Sequence, residues 1–543
     1  MSAPAPTRRW RVSNVHRELG EAPDRVAERA CAELGVSLSD ALDVEVVKRS
    51  IDARGRRAPR FVHIVDVSLP AAALGEAPSG RVRLAPEVVL DPPLRATKPL
   101  RPVVIGLGPC GLFAALHLAL AGAPPIVLDR GKPVETRAKD VAALLGKGVI
   151  NESSNLCYGE GGAGTWSDGK LYTRVGGALL RPVLEKIVEL GGPERILVDG
   201  RPHLGTDRLV KLLKAFRAHL VELGCTLRFE TEVDRLQVAD GAVTGVVLRD
   251  GEVIDASHVV LAPGHSARGL YRRLAEDGVA MEPKAFAVGF RLEHPQREID
   301  AIQYGRWAGH EELPAAYYEL KTQVGRGAAE RGVYSFCMCP GGSVVPTPTR
   351  EGEVCVNGMS HAARSGKYAN SAVVVTVNPE DYASFATGDG PVDRLLAGVA
   401  FQRAAEASAW ERGGGGFVAP AQRLVDYLEG RASSEVRRTT YKRGVAACAL
   451  GDVFPGWVGE ALRAGVGDFE RRFRGYVSDE AVLIGVETRT SAPVSIVRDR
   501  ATLESVSVSG LFPAGEGSGY GGGIASAAID GIRVAQAVVR ATA

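Results

Sequence analysis

Two thiols, Cys337 and Cys339, stand one residue apart in an extended run that ends in Pro340, Gly341 and Gly342. Residues two apart in a strand share a face, so both sulfurs would meet one environment and could act as an electron-passing dithiol, or one could be a nucleophile. A disulfide across a single residue is strained, however, and free cysteines are common in cores, so packing is the plainer reading of the pair. The run VETRTSAPVSI places Glu487, Arg489 and Ser491 at alternating strand positions, with acid, cation and hydroxyl on one face. Arg489 could hold an anion bidentately, and a salt bridge explains the same residues equally well. Lys170 and Arg174 are two further cations beside a glycine-rich loop. His203, His265, His294, His310 and His361 stand singly, as structural or surface histidines do, and His265 has the best claim because it follows Gly264 at a turn. Zinc needs about four ligands, and no second close-set Cys or His pair accompanies the thiols, so no metal is expected. The catalytic candidates are Cys337, Cys339, His265 and Arg489, and no base can be assigned among them.

These residues need elements to position them, and the strongest such signal lies at 102–130, PVVIGLGPCGLFAALHLALAGAPPIVLDR. It reads as a short apolar strand, a GxGxxG turn, an amphipathic helix and a second apolar strand ending in an acid. Gly106 permits the tight turn, Gly108 lets a pyrophosphate approach the backbone, and Gly111 lets the helix pack against the sheet. Pro109 and Cys110 open the helix, whose N-terminus offers free N–H groups and a positive dipole end. Asp129 follows Gly111 by roughly the twenty residues that reach an adenosine ribose, with Arg130 next to it, and an acid there disfavours a 2′-phosphate. The combination predicts a dinucleotide site.

Three distant segments suit a longer cofactor. In YGEGGAGTWSDGKL, residues 158–171, Gly161, Gly162 and Gly164 with Thr165 leave amides uncovered for a phosphate or ring edge. Residues 205–268 read as a helix, a strand TLRFETEV that includes Val233, a hairpin turning at Asp250 and Gly251, and an apolar strand ending at Pro263 and Gly264. Residues 511–531, LFPAGEGSGYGGGIASAAIDG, read as a strand, Gly515 and an acid at Glu516, then Gly522 and Gly523 before a small-residue helix from Ile524. Glu516 is placed to accept from a ribityl hydroxyl, and the amides opening the last helix to stabilise negative charge on a flavin pyrimidine ring.

GLGPCG with Asp129, the TEV and LAPGHSAR segments and FPAGEG together resemble the FAD-dependent oxidoreductase superfamily of glutathione-reductase-like ancestry. GEGGAGTWSDGKL, SFCMCPGG, VETRTSAPVSI and PAGEGSGYGGGI resemble, more narrowly, a family of uncharacterised FAD-dependent dehydrogenases, over nearly the whole chain. The resemblance implies an α/β fold: a Rossmann-like FAD-binding domain, an inserted α+β substrate domain and a small N-terminal α+β domain. It implies FAD as cofactor, with Gly106, Gly108 and Gly111 at the pyrophosphate, Asp129 at the adenosine ribose, Val233 near the adenine through its backbone, and Gly515 with Glu516 at the ribityl chain. Two acids depart from the superfamily's habit: the ribose acid is often Glu and the ribityl acid often Asp, so water could bridge contacts that are direct elsewhere.

The 543 residues allow two or three domains with full cores, and 45% hydrophobic and 24% charged residues are ordinary globular values. The boundaries read as 1–70 for the N-terminal βαββ unit, with its helix at 24–34, and 71–100 for a linker. The FAD-binding domain then occupies 101–280 and 481–543, and the substrate or lid domain 281–480. With 66 basic against 64 acidic residues, charge does not point to nucleic acid. No apolar run reaches a bilayer span and the start lacks a signal-peptide core, so no membrane partner is expected. Eight scattered cysteines fit a reducing cytoplasm. The expected function is a FAD-dependent oxidoreductase that moves hydride between a small organic substrate and flavin N5. With no second GxGxxG, NAD(P)H would act only as a transient donor. A flavin monooxygenase and a flavin-containing RNA- or protein-binding factor are the alternatives.

Overall fold

The computed structural model describes residues 7–542 other than 56, 78, 88–93, 174, 176, 328 and 329, so Arg174 lies outside the described residues. The strand Pro102–Ile105 is buried throughout and runs through the glycine turn into the helix Pro109–Leu120. That helix is apolar almost all round because it is covered on several sides. Helix Ile524–Arg540 packs on one face, and Phe113 meets Phe216 of helix Thr206–Glu222 edge-on at 5.3 Å on another.

Pro102–Ile105 is the centre of a five-stranded parallel sheet, in the order Leu511–Pro513, His258–Leu261, Pro102–Ile105, Ile126–Leu128, Thr226–Arg228. Buried on both faces, the strands other than the partly exposed edge strand Thr226–Arg228 read as apolar runs rather than alternating ones. The edge strand Leu511–Pro513 and the helix after it come from the far end of the chain, and this brings the PAGEG segment beside the glycine turn. The hairpin reading at Asp250 and Gly251 matches strands Ala242–Leu248 and Val253–Asp255, which pair antiparallel. TLRFETEV instead divides between Thr226–Arg228, in the parallel sheet, and Val233–Ala239, in a separate one.

A second sheet has seven strands: Lys321–Val324, Arg331–Cys339, Tyr368–Val377, Phe286–Pro295, Val482–Glu487, Ala419–Arg423 and Val445–Ala447. Its neighbours pair antiparallel except the last two, which are parallel. Its core is built on Phe290, which Tyr427 and Phe454 meet edge-on at 5.8 and 5.4 Å.

The amino-terminal strands Thr7–Glu18, Asp43–Asp52 and Arg60–Pro70 and helix Arg25–Glu33 follow the βαββ order. A fourth strand, Val82–Leu84, comes from the stretch read as linker and pairs with Thr7–Glu18. This unit is seated on residues 194–201. Arg49 N donates to Val198 O at 2.6 Å, Gly200 N donates to Arg49 O at 2.7 Å, and Arg49 pairs with Asp199 at 2.8 Å. No helix among the described residues is long and apolar enough to cross a membrane.

Candidate cofactor and substrate cavity

The parallel sheet, the seven-stranded sheet and the amino-terminal unit enclose one cavity of about 2410 Å³. A pocket for a single small ligand measures roughly 300–1,000 Å³, so this space is large enough for an extended cofactor together with a substrate. Its phosphate end is set by backbone. Gly106 has φ +96°, and a Cβ there would collide with the carbonyl oxygen of Ala262; one at Gly111 would collide with the carbonyl oxygen of Gly106. Gly108 differs, because the nearest atom to a Cβ there is the Cα of Gly162 at 3.9 Å. Nothing in the chain requires glycine at 108, yet its bare backbone lines the cavity.

Two helices begin at the same spot. A Cβ on Gly164 would lie 3.2 Å from Ile524 Cγ1 and 3.7 Å from Pro109 Cγ. Both first turns have amides without intrahelical acceptors and positive dipole ends, and Pro109 at the first helical position loses only an N–H that would be orphaned anyway. A Cβ on Gly515 would press 2.9 Å from Cys110 Cβ, and one on Gly531 would collide with Cys110 O, so glycine at both lets the far end of the chain close on the turn. Gly515 N donates to Asp530 at 2.8 Å, and Arg498 holds that carboxylate at 2.7 Å. Gly522 and Gly523 line the cavity beside them.

The glycine-rich loop is clamped rather than loose. The buried Arg137 guanidinium donates to the carbonyls of Asn155 (2.8 Å), Gly159 (3.1 Å), Glu160 (2.6 Å) and Gly162 (2.9 Å) and to Thr165 Oγ1 (3.2 Å). Desolvation pulls its pKa down to about 10, which leaves it charged at neutral pH. Gly161, whose N–H donates to Leu107 O at 2.8 Å, packs with Thr165 behind the cavity wall, as Gly111 does. Arg137 carries no signal in the sequence, since its five acceptors lie 18 to 28 residues downstream.

Asp129 accepts from Leu107 N at 2.9 Å and Gly131 N at 2.8 Å. The shorter acid thus fixes the turn while still lining the cavity. Arg130 lies 4.1 Å over the Tyr158 ring and 3.4 Å from Glu232, next to Val233 at the same end. Gly264 and Glu516 line the wall farther along, where burial pushes Glu516 up to about 8 despite Lys284. A carboxyl with a pKa above its unfolded value keeps a proton in the folded chain that the unfolded chain has lost, so stability falls as pH rises from about 4.5 to about 8. Ligand-free protein is expected to melt progressively lower across that window, by up to about 1.4 kcal/mol per pH unit for one proton. Glu516→Gln is expected to flatten the slope, and identical slopes in the two proteins would refute this assignment.

The thiols converge through an irregularity. Strand Arg331–Cys339 shifts register between Phe336 and Cys339, and Cys337 has φ +48°. Both sulfurs nevertheless reach one ammonium, with Lys170 Nζ 3.8 Å from Cys337 Sγ and 3.9 Å from Cys339 Sγ. Lys170 also pairs with Asp168 at 3.2 Å, and Arg364 and Ser360 donate to the same carboxylate. Arg291 donates to Cys337 O at 2.7 Å, lies 3.4 Å from Cys339 Sγ and pairs with Glu487 at 3.0 Å.

Glu487, Arg489 and Ser491 do not form the one-face set expected of them, because the strand ends at Glu487 and the backbone turns. Glu487 goes to Arg291, Ser491 receives Lys284 Nζ at 3.3 Å, and Arg489 is taken by Glu406 at 2.7 Å and Glu353 at 3.2 Å. Arg489 lines the cavity with its charge already paired. His265 lines it too, with Nδ1 2.9 Å from Ser266 Oγ. Burial, then Arg489 and Arg268, pull its pKa to about 4, so the ring is neutral at pH 7. His203 and His294 hold the carbonyls of Ala362 and Tyr476 at 3.1 and 2.7 Å, His310 Nδ1 receives Glu312 N at 3.3 Å, and His361 is exposed beside Asp207.

The family described as FAD-dependent protein, C-terminal domain-like, matches residues 285–490, and a domain of unknown function matches residues 12–68. A Clostridium beijerinckii protein named only as uncharacterized is 39% identical over 535 residues, 97% of this chain and 98% of that one. Among solved structures, an E. coli quinol fumarate reductase FrdA variant shares 13% identity at a TM-score of 0.38, over 82% of this chain and 70% of that one. A 3-ketosteroid-delta4-(5alpha)-dehydrogenase from Rhodococcus jostii RHA1 shares 14% at 0.35, over 82% and 99%. These scores are too low to carry chemistry from one chain to another. The residues themselves fit FAD: two helix N-termini and a side-chain-free backbone face one point, and a half-buried acid at Glu516 lines the wall farther on. The chain belongs to one family with its Clostridium beijerinckii relative, and its residues 285–490 carry the domain described as FAD-dependent protein, C-terminal domain-like.

Proposed function

We propose that the protein is a FAD-dependent dehydrogenase or reductase of the glutathione-reductase-like, single-Rossmann kind, acting on a small organic substrate. The carrying observation is the meeting of the first turns of Pro109–Leu120 and Ile524–Arg540 at the open backbone of Gly108. There the Cys110 and Gly111 amides and those of Ile524 and its successors would hold a diphosphate, with Gly162 and Gly164 closing over it. Asp129, Arg130 and Val233 would face the adenosine end, and Gly264, Gly515 and Glu516 the ribityl chain. When bound, the flavin would supply hydride exchange.

The chain's own residues orient the substrate and exclude water. Lys170, Tyr172, Tyr317 and Tyr334 line the remaining space, and Arg49 and Phe61 of the amino-terminal unit line it as well. The charges of Arg489 and Lys170 are taken by Glu406 with Glu353 and by Asp168, so Lys284, whose ammonium meets the Ser491 hydroxyl, is the cation better placed to meet an anionic substrate group. Anaerobic mixing of the purified holoprotein with NADH or NADPH is expected to bleach the flavin band, and a later electron acceptor to restore it. A flavin that no small organic reductant reaches would contradict an enzymatic role.

A further inference from the structure

We propose that Cys337 and Cys339 form a thiol–disulfide centre that opens on the cavity and exchanges with low-molecular-weight disulfides. The proposal deepens the reading of the cavity as a redox chamber and rests on it only for where the electrons finally go, because the thiol step is complete without the flavin. Cys337 lines the cavity, whereas Cys339 is fully buried behind it. That is the disposition of an attacking thiol and a resolving one. In a regular strand, residues two apart lie roughly 6.6 Å apart at Cα, at the edge of the about 4.4–6.8 Å that a disulfide spans. The bulge at 336–339 and the positive φ of Cys337 take the pair out of that extended geometry. Both sulfurs then share Lys170, and Arg291 fixes the Cys337 carbonyl and approaches Cys339 Sγ. A non-glycine residue with positive φ inside a strand is uncommon, and here it falls on the member of the pair that lines the cavity.

Several charged or titratable groups surround Cys337: Cys339 on its own strand, Lys170 with Asp168 and Tyr172 from the loop before helix Leu180–Glu189, Arg291 with Glu487 across the sheet, and Glu516 from the carboxy-terminal turn. The adjacent Cys339 side chain, then the two cations, hold Cys337 well below the usual thiol range against desolvation and Asp168, and the Cys339 thiol donates to the Cys337 carbonyl at 3.3 Å. Cys339 is pushed well above that range by the neighbouring Cys337 sulfur and then by burial. With one ammonium between two sulfurs and the Cys339 thiol turned to a carbonyl, Cys337 is the thiolate and Cys339 the thiol.

The step balances as follows. Cys337 thiolate attacks one sulfur of a disulfide RSSR, an S–S bond forms between Cys337 and RS, and RS⁻ leaves. Cys339 attacks Cys337 Sγ and expels the second RS⁻, which takes up the Cys339 proton. The pair is oxidised by two electrons to an internal disulfide, and RSSR is reduced to one thiol and one thiolate, the latter protonated by water.

The full-length protein, reduced and desalted, is tested first with iodoacetamide at pH 6 and peptide mass spectrometry. Cys337 is expected to alkylate about 10-fold faster than the half-buried Cys448, and Lys170→Met to erase most of that advantage. Glutathione disulfide is the second probe. It is expected to leave the peptide carrying both cysteines two hydrogens lighter, C339S to stop at a glutathione mixed disulfide on Cys337, and C337S to give neither. Alkylation of Cys337 only above about pH 8, in step with Cys448, or a wild-type pair that glutathione disulfide leaves reduced, would overturn the proposal. Flavin content is read on the same samples: inert thiols beside bound flavin defeat the thiol centre alone, and reactive thiols without flavin defeat the cofactor reading alone.

Discussion

Gly108→Ala is expected to give a folded protein that no longer retains FAD. The position has φ −77° and ψ −177°, which alanine adopts without strain, and its Cβ would meet nothing nearer than the Gly162 Cα at 3.9 Å. The added methyl therefore leaves the chain undisturbed and occupies the one approach by which a diphosphate can reach the helix amides. A loss of at least about 100-fold in FAD affinity, or about 2.7 kcal/mol, should appear by titration, with the far-ultraviolet spectrum and apoprotein melting unchanged. Gly111→Ala is the contrasting control. Its Cβ would collide with the Gly106 carbonyl, so loss of flavin there should come with loss of fold. Wild-type affinity in Gly108→Ala would place the cofactor somewhere else.

Glu406→Gln is expected to destabilise the chain by about 3–5 kcal/mol. The buried carboxylate accepts from Arg268 at 2.8 and 2.9 Å and from Arg489 at 2.7 and 3.0 Å, and Thr488 also donates to it. Arg268, Arg489, Glu406 and Glu353 are all almost wholly buried, and Gln402 accepts from Arg268 at 3.1 Å. Neutralising Glu406 leaves two guanidinium groups beside Glu353 alone, an uncompensated charge in a dry wall. The same wall carries His265 and Ser266, so the damage should reach the cavity. Urea unfolding of the apoprotein measures it, and a change under about 1 kcal/mol would mean that water already screens these charges.

The nucleotide unit was legible because each of its signals is local. Strand, turn and helix at 102–130 and at 511–531 declare themselves through periodicity and glycine spacing, and the chain folds them where they read. The two segments meet because Gly515 and Gly531 permit contact with Cys110, a juxtaposition that no local pattern contains. Arg137, Asp168 and Glu406 were invisible for the same reason, since each is defined by partners far along the chain. The alternation of Glu487, Arg489 and Ser491 misled because the strand that would sustain it stops at Glu487. Cys337 and Cys339 share an environment as their spacing suggests, but by way of a bulge and Lys170 rather than the regular pleat.

The central claim is that one diphosphate sits between two helix N-termini contributed by opposite ends of the chain. A structure of the full-length protein prepared with excess FAD tests it most directly. The phosphates are expected against the Gly108 backbone, within hydrogen-bond reach of the first-turn amides of both Pro109–Leu120 and Ile524–Arg540. Flavin density elsewhere in the cavity, or a colourless protein that takes up no FAD at all, would contradict it.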